Sequence, residues 1–252
     1  MNKITFENIY TLGHNIFEND LYKHFHYPEM LVRYDSNFIE FKEIPSLTDF
    51  KDAEFFLRDF HVSKGQKHVK FYFPDNEKPT EALVKYLKGS GYDFGHMELY
   101  VIQPRHFPSV DPHQDIEVRD VTVDNFETYL TLQYQQDSKF GEEFAKGKVN
   151  LYKQNLTDPN FHQIMAYFKG VPAGSVEIII AEDTAEIDGL DVMEQFQKKG
   201  IGSRLQKSVM DSFPDKTVIL VADGDDTPRE MYKRQGYTYQ GFKYEAQKIY
   251  TD

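Results

Sequence analysis

The chain has 252 residues, with 29 Lys and Arg against 41 Asp and Glu, a formal net charge of −12, 21 Phe, 17 Tyr, no Trp and no Cys. The lack of cysteine excludes disulfides, thiolate-bound zinc, iron–sulfur clusters and a cysteine nucleophile, and the acidic balance argues against nonspecific attachment to nucleic acid, whose phosphates it repels. A composition 40% hydrophobic and 15% aromatic, without an apolar run near the roughly 20 residues of a membrane helix, is that of a globular chain of one large or two small domains.

The charge is uneven. Residues 1–110 hold 13 basic and 16 acidic groups (net −3), whereas 111–252 hold 16 and 25 (net −9). A negative field over the second half either attracts cationic ligands or serves only as a solvated surface. The opening Met1-Asn-Lys-Ile-Thr-Phe-Glu has no apolar stretch ended by small residues, so a cytoplasmic location is expected.

In chain order, the segment up to residue 29 has no clear form, and β-like runs follow at 30–34 and 38–41. Apolar residues Leu47, Phe50, Ala53, Phe56, Leu57 and Phe60 recur at helical spacing. A strand at 68–73, a helix at 78–88 opened by Pro79 and a strand at 94–102 complete an α/β pattern. Three prolines, Pro104, Pro108 and Pro112, break the chain and place a domain boundary there, giving domains 1–108 and 113–252. The second half reads as a strand at 116–119, helices from 124 to about 155 interrupted at Gly141 and Gly147, and strands at 161–168 and 173–180. A strand at 185–193, a helix at 200–212, a buried strand at 217–222, a helix at 227–235 with Pro228 in its first turn and a closing strand region at 237–250 follow.

The two ends resemble one another. Lys70-Phe-Tyr-Phe-Pro-Asp, a helix ending Tyr86-Leu-Lys-Gly-Ser-Gly-Tyr, and then Met97-Glu-Leu-Tyr-Val-Ile parallel Val218-Ile-Leu-Val-Ala-Asp, Met231-Tyr-Lys-Arg-Gln-Gly-Tyr and the strand after it. Two related tandem domains are therefore expected.

The segment richest in chemistry is Gln197-Lys-Lys-Gly-Ile-Gly-Ser-Arg-Leu, between a strand and an amphipathic helix. Glycines let backbone approach a ligand closely, and the N–H groups at a helix N-terminus point at it, which makes an anion site. Glycine near a helix start is also an ordinary structural feature. Neither the third glycine of a dinucleotide fingerprint nor the Gly-Lys-Ser/Thr of a P-loop is present.

This context resembles the GNAT superfamily of acyl-CoA-dependent N-acyltransferases, whose Gln/Arg-x-x-Gly-x-Gly/Ala signature is met by Gln197, Gly200 and Gly202. Leu190-Asp-Val-Met resembles the family's approach to that loop, and Met231-Tyr-Lys-Arg-Gln-Gly-Tyr resembles its Leu-Tyr-x-x-x-Gly-Phe element. The resemblance covers about 114–252. It implies a mixed, mostly antiparallel α/β (α+β) sheet flanked by helices, with acetyl-CoA as co-substrate. It also implies a pyrophosphate site at Gln197, Lys198, Lys199, Gly200, Ile201, Gly202 and Ser203, and a pantetheine edge at Leu190 and Val192. Lys198 and Lys199 either add charge beside the phosphates or are solvated.

Transfer of an acyl group to an amine needs a neutral amine, a donor to the carbonyl oxygen and an acid for the thiolate. The resemblance assigns these to Glu186 or Asp188 as base, the Val192 amide as donor and Tyr232 as acid; without cysteine, the amine attacks directly. Where the family carries Asn and a small residue before its tyrosine, this chain has Asp225 and Pro228, so no cofactor contact is expected at Asp225. The first domain reads as a degenerate copy. Leu87 stands where Tyr232 does, and Ile44-Pro-Ser-Leu-Thr-Asp replaces the glycine loop, leaving packing, homodimerisation or a wall of the acceptor pocket as its uses.

No metal site is expected, because His24, His26 and Glu29 form the densest cluster without a helical His-x-x-x-His, and His61 and His68 have no partner nearby in sequence. The expected partner is a small-molecule or peptide amine, with neither nucleic acid nor membrane. The competing expectation is a non-catalytic CoA-binding or assembly protein of the same fold.

Overall fold

A computed structural model describes residues 3–225 and 229–250. They pack as two compact units, one of residues 3–99, 221–225, 229 and 239–250, the other of 100–220 and 230–238. Where the sequence suggests a single cut, the chain re-enters the first unit at its end.

The first unit opens with strands β1 (His14–Glu18) and β2 (Tyr22–His26), then β3 (Phe38–Phe41), helix α1 (Leu47–Ser63), β4 (His68–Tyr72), helix α2 (Glu81–Gly89) and the start of β5 (Asp93–Ile102). The β1–β2 hairpin occupies the stretch without a clear sequence pattern. The Asn19 side chain accepts the N–H groups of Leu21 (2.9 Å) and Tyr22 (2.8 Å) and so folds the turn locally. The expected run at 30–34 is not a strand. Pro28 cannot donate to a ladder, and buried Asn37 holds the loop by accepting from Tyr27 N–H (3.0 Å) and donating to Arg33 C=O (2.9 Å). Strands β1, β2 and β3 pair antiparallel, and β3 pairs parallel with β4. Phe41, Phe50, Leu57, Phe71, Phe73 and Leu87 form the buried core beneath α1 and α2.

Strand β11 (Thr238–Ile249), read from sequence as the end of the second domain, pairs antiparallel with β4. Buried Lys243 fixes it further, lying 2.7 Å from Glu40 and 3.1 Å from Asp75. Charged groups so buried persist only with partners, which ties the closing strand to the first unit.

The second unit contains β6 (Ile116–Asp120), α3 (Phe126–Asp137), α4 (Glu142–Asn155), β7 (Phe161–Phe168), β8 (Val171–Ile180), β9 (Thr184–Val192), α5 (Ile201–Ser212), the start of β10 (Thr217–Asp223) and, from Glu230 on, α6 (Arg229–Arg234). Gly141 (φ 111°) opens α4, whereas Gly147 lies inside that helix and interrupts nothing. Lys169 and Gly170, both at positive φ, turn β7 into β8. Strands β6 to β9 pair antiparallel in sequence, and β9 pairs parallel with β10. Thus β1-β2-β3-α1-β4 and β7-β8-β9-α5-β10 have the same succession of pairings. Residues 226–228, including Pro228 and the expected helix start at 227, lie outside the described residues.

Candidate active site

The site is built where β9 runs out beside β10. Thr217, Val218 and Ile219 pair with Thr184, Ala185 and Glu186, and within this unit the parallel pairing is confined to these first residues. Past Glu186, β9 thus offers backbone on its β10 side, the kind of edge an extended ligand can pair with.

A bulge changes which side chains face where. Across β8–β9, Glu177 stands opposite Asp188, but Ser175 stands opposite Asp191 and Gly174 opposite Val192, with Gly189 at φ 59° within the irregularity. Glu186 and Asp188 keep one face, as alternation predicts. Strict alternation would put Leu190 and Val192 on that face too. The extra residue turns them to the other, where they meet α5: a Cβ built on Gly202 would lie 3.8 Å from Val192 Cγ2 and 3.9 Å from Leu190 Cδ2.

Gly200 caps α5 in the left-handed region (φ 81°), offers no side chain to the first turn, and follows Lys198, also left-handed (φ 60°). The N–H groups of Ile201, Gly202 and Ser203 lack intrahelical acceptors by their position. Gln197 Nε2 donates to Val192 C=O at 3.2 Å and fastens the loop to the end of β9. Arg204 bends back, Nη1 donating to Gly200 C=O at 3.0 Å and Nη2 to Asp111 C=O. Lys199 places its ammonium 5.5 Å from the Phe168 ring centroid, on an aromatic face.

The matching helix start in the first unit is closed. Ser46 Oγ caps α1 by accepting from Asp49 N–H (3.2 Å), and the Asp49 carboxylate occupies the first turn. Its positive end is already satisfied from within. Leu87, in the place of Tyr232, is fully buried in the core. Both facts give a physical content to the degenerate reading.

Tyr232 is half-buried in α6, its ring 5.0 Å from that of Tyr100 and 5.4 Å from that of Tyr237. Tyr237 in turn donates to Gln206 Oε1 of α5 at 2.9 Å. Asp225, exposed, lies 3.9 Å from His96 within the first unit.

Several residues not singled out in the sequence sit at this site. Gly174 lets the end of β9 lie close. Glu177, 5% exposed, receives hydrogen bonds from Gln163 Nε2 (2.7 Å) and Asn155 Nδ2 (3.1 Å). Burial raises its pKa, opposed by those amide donors and by Lys148. Tyr129 of α3, fully buried, has a hydroxyl without a hydrogen-bond partner, and burial raises its pKa well above the usual tyrosine value. A carboxylate inside the apolar run Val176-Glu177-Ile178-Ile179-Ile180 is the sequence signal that marks Glu177.

Among the described residues, no group of three or more His, Asp or Glu side chains is placed to hold a metal ion, and no helix is long and apolar enough to cross a membrane.

Residues 125–237 match the model of the acetyltransferase (GNAT) family, and residues 4–100 match a domain of unknown function, DUF5613. The second unit carries a GNAT acetyltransferase domain. A functionally unknown conserved protein from Staphylococcus epidermidis is 35% identical over 99% of both chains, with a TM-score of 0.90. The present chain belongs to the same family as that protein. The fold is also that of a GCN5-related N-acetyltransferase from Kribbella flavida (12% identity, 93% of this chain and 89% of that one, TM-score 0.61). A tandem GNAT protein from the clavulanic acid biosynthesis pathway shares it as well (8% identity, 85% of this chain and 75% of that one, TM-score 0.53). No curated protein matches. The GNAT model ends at Tyr237, just before β11, the strand that joins the first unit.

Proposed function

We propose that this protein is an N-acetyltransferase that moves an acetyl group from acetyl-CoA to a primary amine by direct attack, in the cytoplasm. The observation that carries the reading is the glycine-capped N-terminus of α5, left open and fastened beside the unpaired end of β9. Acetyl-CoA supplies the acyl thioester. Backbone N–H groups of 201–203 hold the pyrophosphate, with Lys198 adding charge, and the edge at Leu190 and Val192 pairs with the pantetheine arm. This local arrangement of dipoles offsets the acidic field of the second half. The Val192 amide donates to the carbonyl oxygen as it gains charge. Glu186 or Asp188 takes a proton from the amine, and Tyr232 gives one to the departing thiolate.

CoA is expected to raise the melting temperature with its concentration, since it binds the folded state. Gly200→Asp is expected to abolish that shift: a Cβ there lies 2.6 Å from Arg204 Nη1, the φ is positive, and the carboxylate repels phosphate. Acetyl-CoA turnover across a panel of amines then tests the chemistry. Tyr232→Phe is expected to lower kcat by about 10²-fold with CoA affinity nearly unchanged. CoA binding without turnover of any amine would make the protein a CoA-binding module; no CoA binding would end both readings.

A further inference from the structure

Strand β6 ends the sheet of the second unit, pairing with β7 and with no other strand among the described residues. Lys169 N–H donates to Asp115 C=O at 2.7 Å and Val121 N–H to Gln163 C=O at 2.8 Å. In this antiparallel register the odd-numbered residues of β6 therefore bond to β7, and the even-numbered ones turn their backbone groups outward. Two outward groups are taken up locally: Ile116 N–H donates to His113 C=O (3.0 Å), and Asp120 C=O accepts from Asn125 Nδ2 (2.9 Å). Ile116 C=O, both groups of Val118 and Asp120 N–H remain, and among the described residues nothing in the chain bonds them. The edge is open to approach, because on its α5 side lies a cleft of about 960 Å³ bordered by Ile116, Val118, Lys207, Ser208 and the segment 110–115. The strand also lacks the bulge, proline and lysine with which sheet edges are commonly blunted.

We infer that β6 is a self-association edge, on which a second copy of this chain pairs its own β6 antiparallel about a two-fold axis at Val118. Such a contact uses the same patch twice and so must be complementary to itself. Centred on Val118, the pairing sets Glu117 opposite Arg119 of the second copy, Arg119 opposite Glu117, and Ile116 opposite Asp120. The two Val118 residues exchange both backbone bonds, and each Asp120 N–H donates to the other copy's Ile116 C=O. Ile116 N–H and Asp120 C=O, which this register would pair with each other, are the two groups already bonded within the chain, so the ladder ends there. Glu117 and Arg119, exposed on the face away from the cleft, already hold one another at 2.5 and 2.6 Å, and the second copy places a like pair beside them with opposite charges adjacent. Sliding the copies by two residues sets Glu117 against Glu117 or Arg119 against Arg119, a repulsive pair that selects the centred register. The net charge of −12 on each copy opposes association in general. At about 0.15 M salt it is screened beyond about 8 Å, so the contacting charges of the edge decide. A five-residue ladder is a small contact, and the dimer belongs to the weak class.

The test is sedimentation equilibrium of the full chain from about 1 µM to about 1 mM, over which the wild type is expected to pass from one copy toward two. Glu117→Arg and Arg119→Glu, each alone, set like charges opposite one another at two places and should weaken the dimer at least about tenfold. Both side chains are exposed, so neither change should move the melting temperature appreciably. Mixed one to one, the two variants restore opposite charges at both places and should associate within about threefold of the wild-type affinity. The double variant Glu117→Arg with Arg119→Glu should do so by itself. Amide exchange at Val118 and Asp120 should slow as the wild-type concentration rises, while that at Glu117 and Arg119, already bonded to β7, stays as it is. A wild type that remains a single copy throughout, a dimer indifferent to either single reversal, or a mixture of the two variants that fails to associate would each overturn the proposal.

Discussion

Acidification from about pH 7.5 to about pH 5 is expected to remove about 6 kcal/mol of stability through three histidines of the first unit. His24 of β2, His61 of α1 and His68 of β4 are 1%, 0% and 0% exposed. The His61 and His68 rings lie 4.6 Å apart and those of His24 and His61 6.4 Å apart, with Phe60 edge-on to His24 at 4.7 Å. His61 Nδ1 donates to His68 C=O (2.7 Å) and His68 Nε2 to Asn37 C=O (3.1 Å), so each ring has its proton placed by a carbonyl that can only accept. Burial, with mutual repulsion, lowers the pKa of His24 from 6.5 to about 4. Burial likewise lowers His61 to about 4 and His68 to about 3.

The neighbouring His26, Arg58, Lys64 and Lys70 disfavour protonation of the cluster, while Glu29 and Asp35 favour it weakly. A base whose pKa is depressed by folding is neutral in the native state and protonated when unfolded at low pH. The stability it supports is therefore intact above about pH 6.5 and is lost as the pH falls toward 4. Each ring contributes about 2 kcal/mol at pH 5, and three together give a slope near about 4 kcal/mol per pH unit, against a total of roughly 5–15 kcal/mol for a domain. Urea denaturation followed at about pH 7.5, 6 and 5 measures this slope. His24→Phe, which keeps an aromatic ring against Phe60, should reduce it by about one proton; an unchanged slope would show that the acid sensitivity lies elsewhere.

Replacing Gly174 by Ala is expected to destabilise the second unit by about 1–3 kcal/mol and to weaken the proposed CoA binding by at least about tenfold. The added Cβ would lie 2.6 Å from Asp191 C=O and 3.2 Å from both Cα and Cγ2 of Val192. Two of those atoms are backbone, so relief requires moving the end of β9 rather than turning a side chain. That end carries the Val192 amide and the edge beside α5. Gly189→Asn is the matched control: nothing lies within 4 Å of its Cβ, and its φ of 59° is one that Asn tolerates. It should cost less than about 1 kcal/mol and leave CoA binding nearly intact. Calorimetry of both variants with and without CoA separates an edge displaced by a clash from a bulge that depends on glycine itself.

The strongest local patterns of the sequence hold in three dimensions. Of the apolar residues at helical spacing, Phe50, Ala53 and Leu57 form the buried face of α1, joined there by His61, while Phe56 lies exposed and Leu47 and Phe60 half-buried; Gly200 and Gly202 open α5 at the expected place. These are short-range consequences of residue type: amphipathic period, glycine at a left-handed cap, turns at Lys169 and Gly170. The β1–β2 hairpin is not legible in the sequence because all five residues of β1 are exposed, leaving no alternation to read. The turn at 30–34 resembles a strand in composition, but its conformation is dictated by Asn37, seven residues from Met30.

By itself, then, the sequence determined the repeated α/β pattern, the glycine loop before α5 and the tyrosine at 232, since each is written within a few consecutive residues. Only the tertiary structure decided that β11 returns to β4, that a bulge at Gly189 turns Leu190 and Val192 toward α5, that Glu177 faces Asp188, and that four histidines from β2, α1 and β4 share one buried cluster. These depend on strand register and on burial, which bring together groups from distant segments and set their charges by what surrounds them.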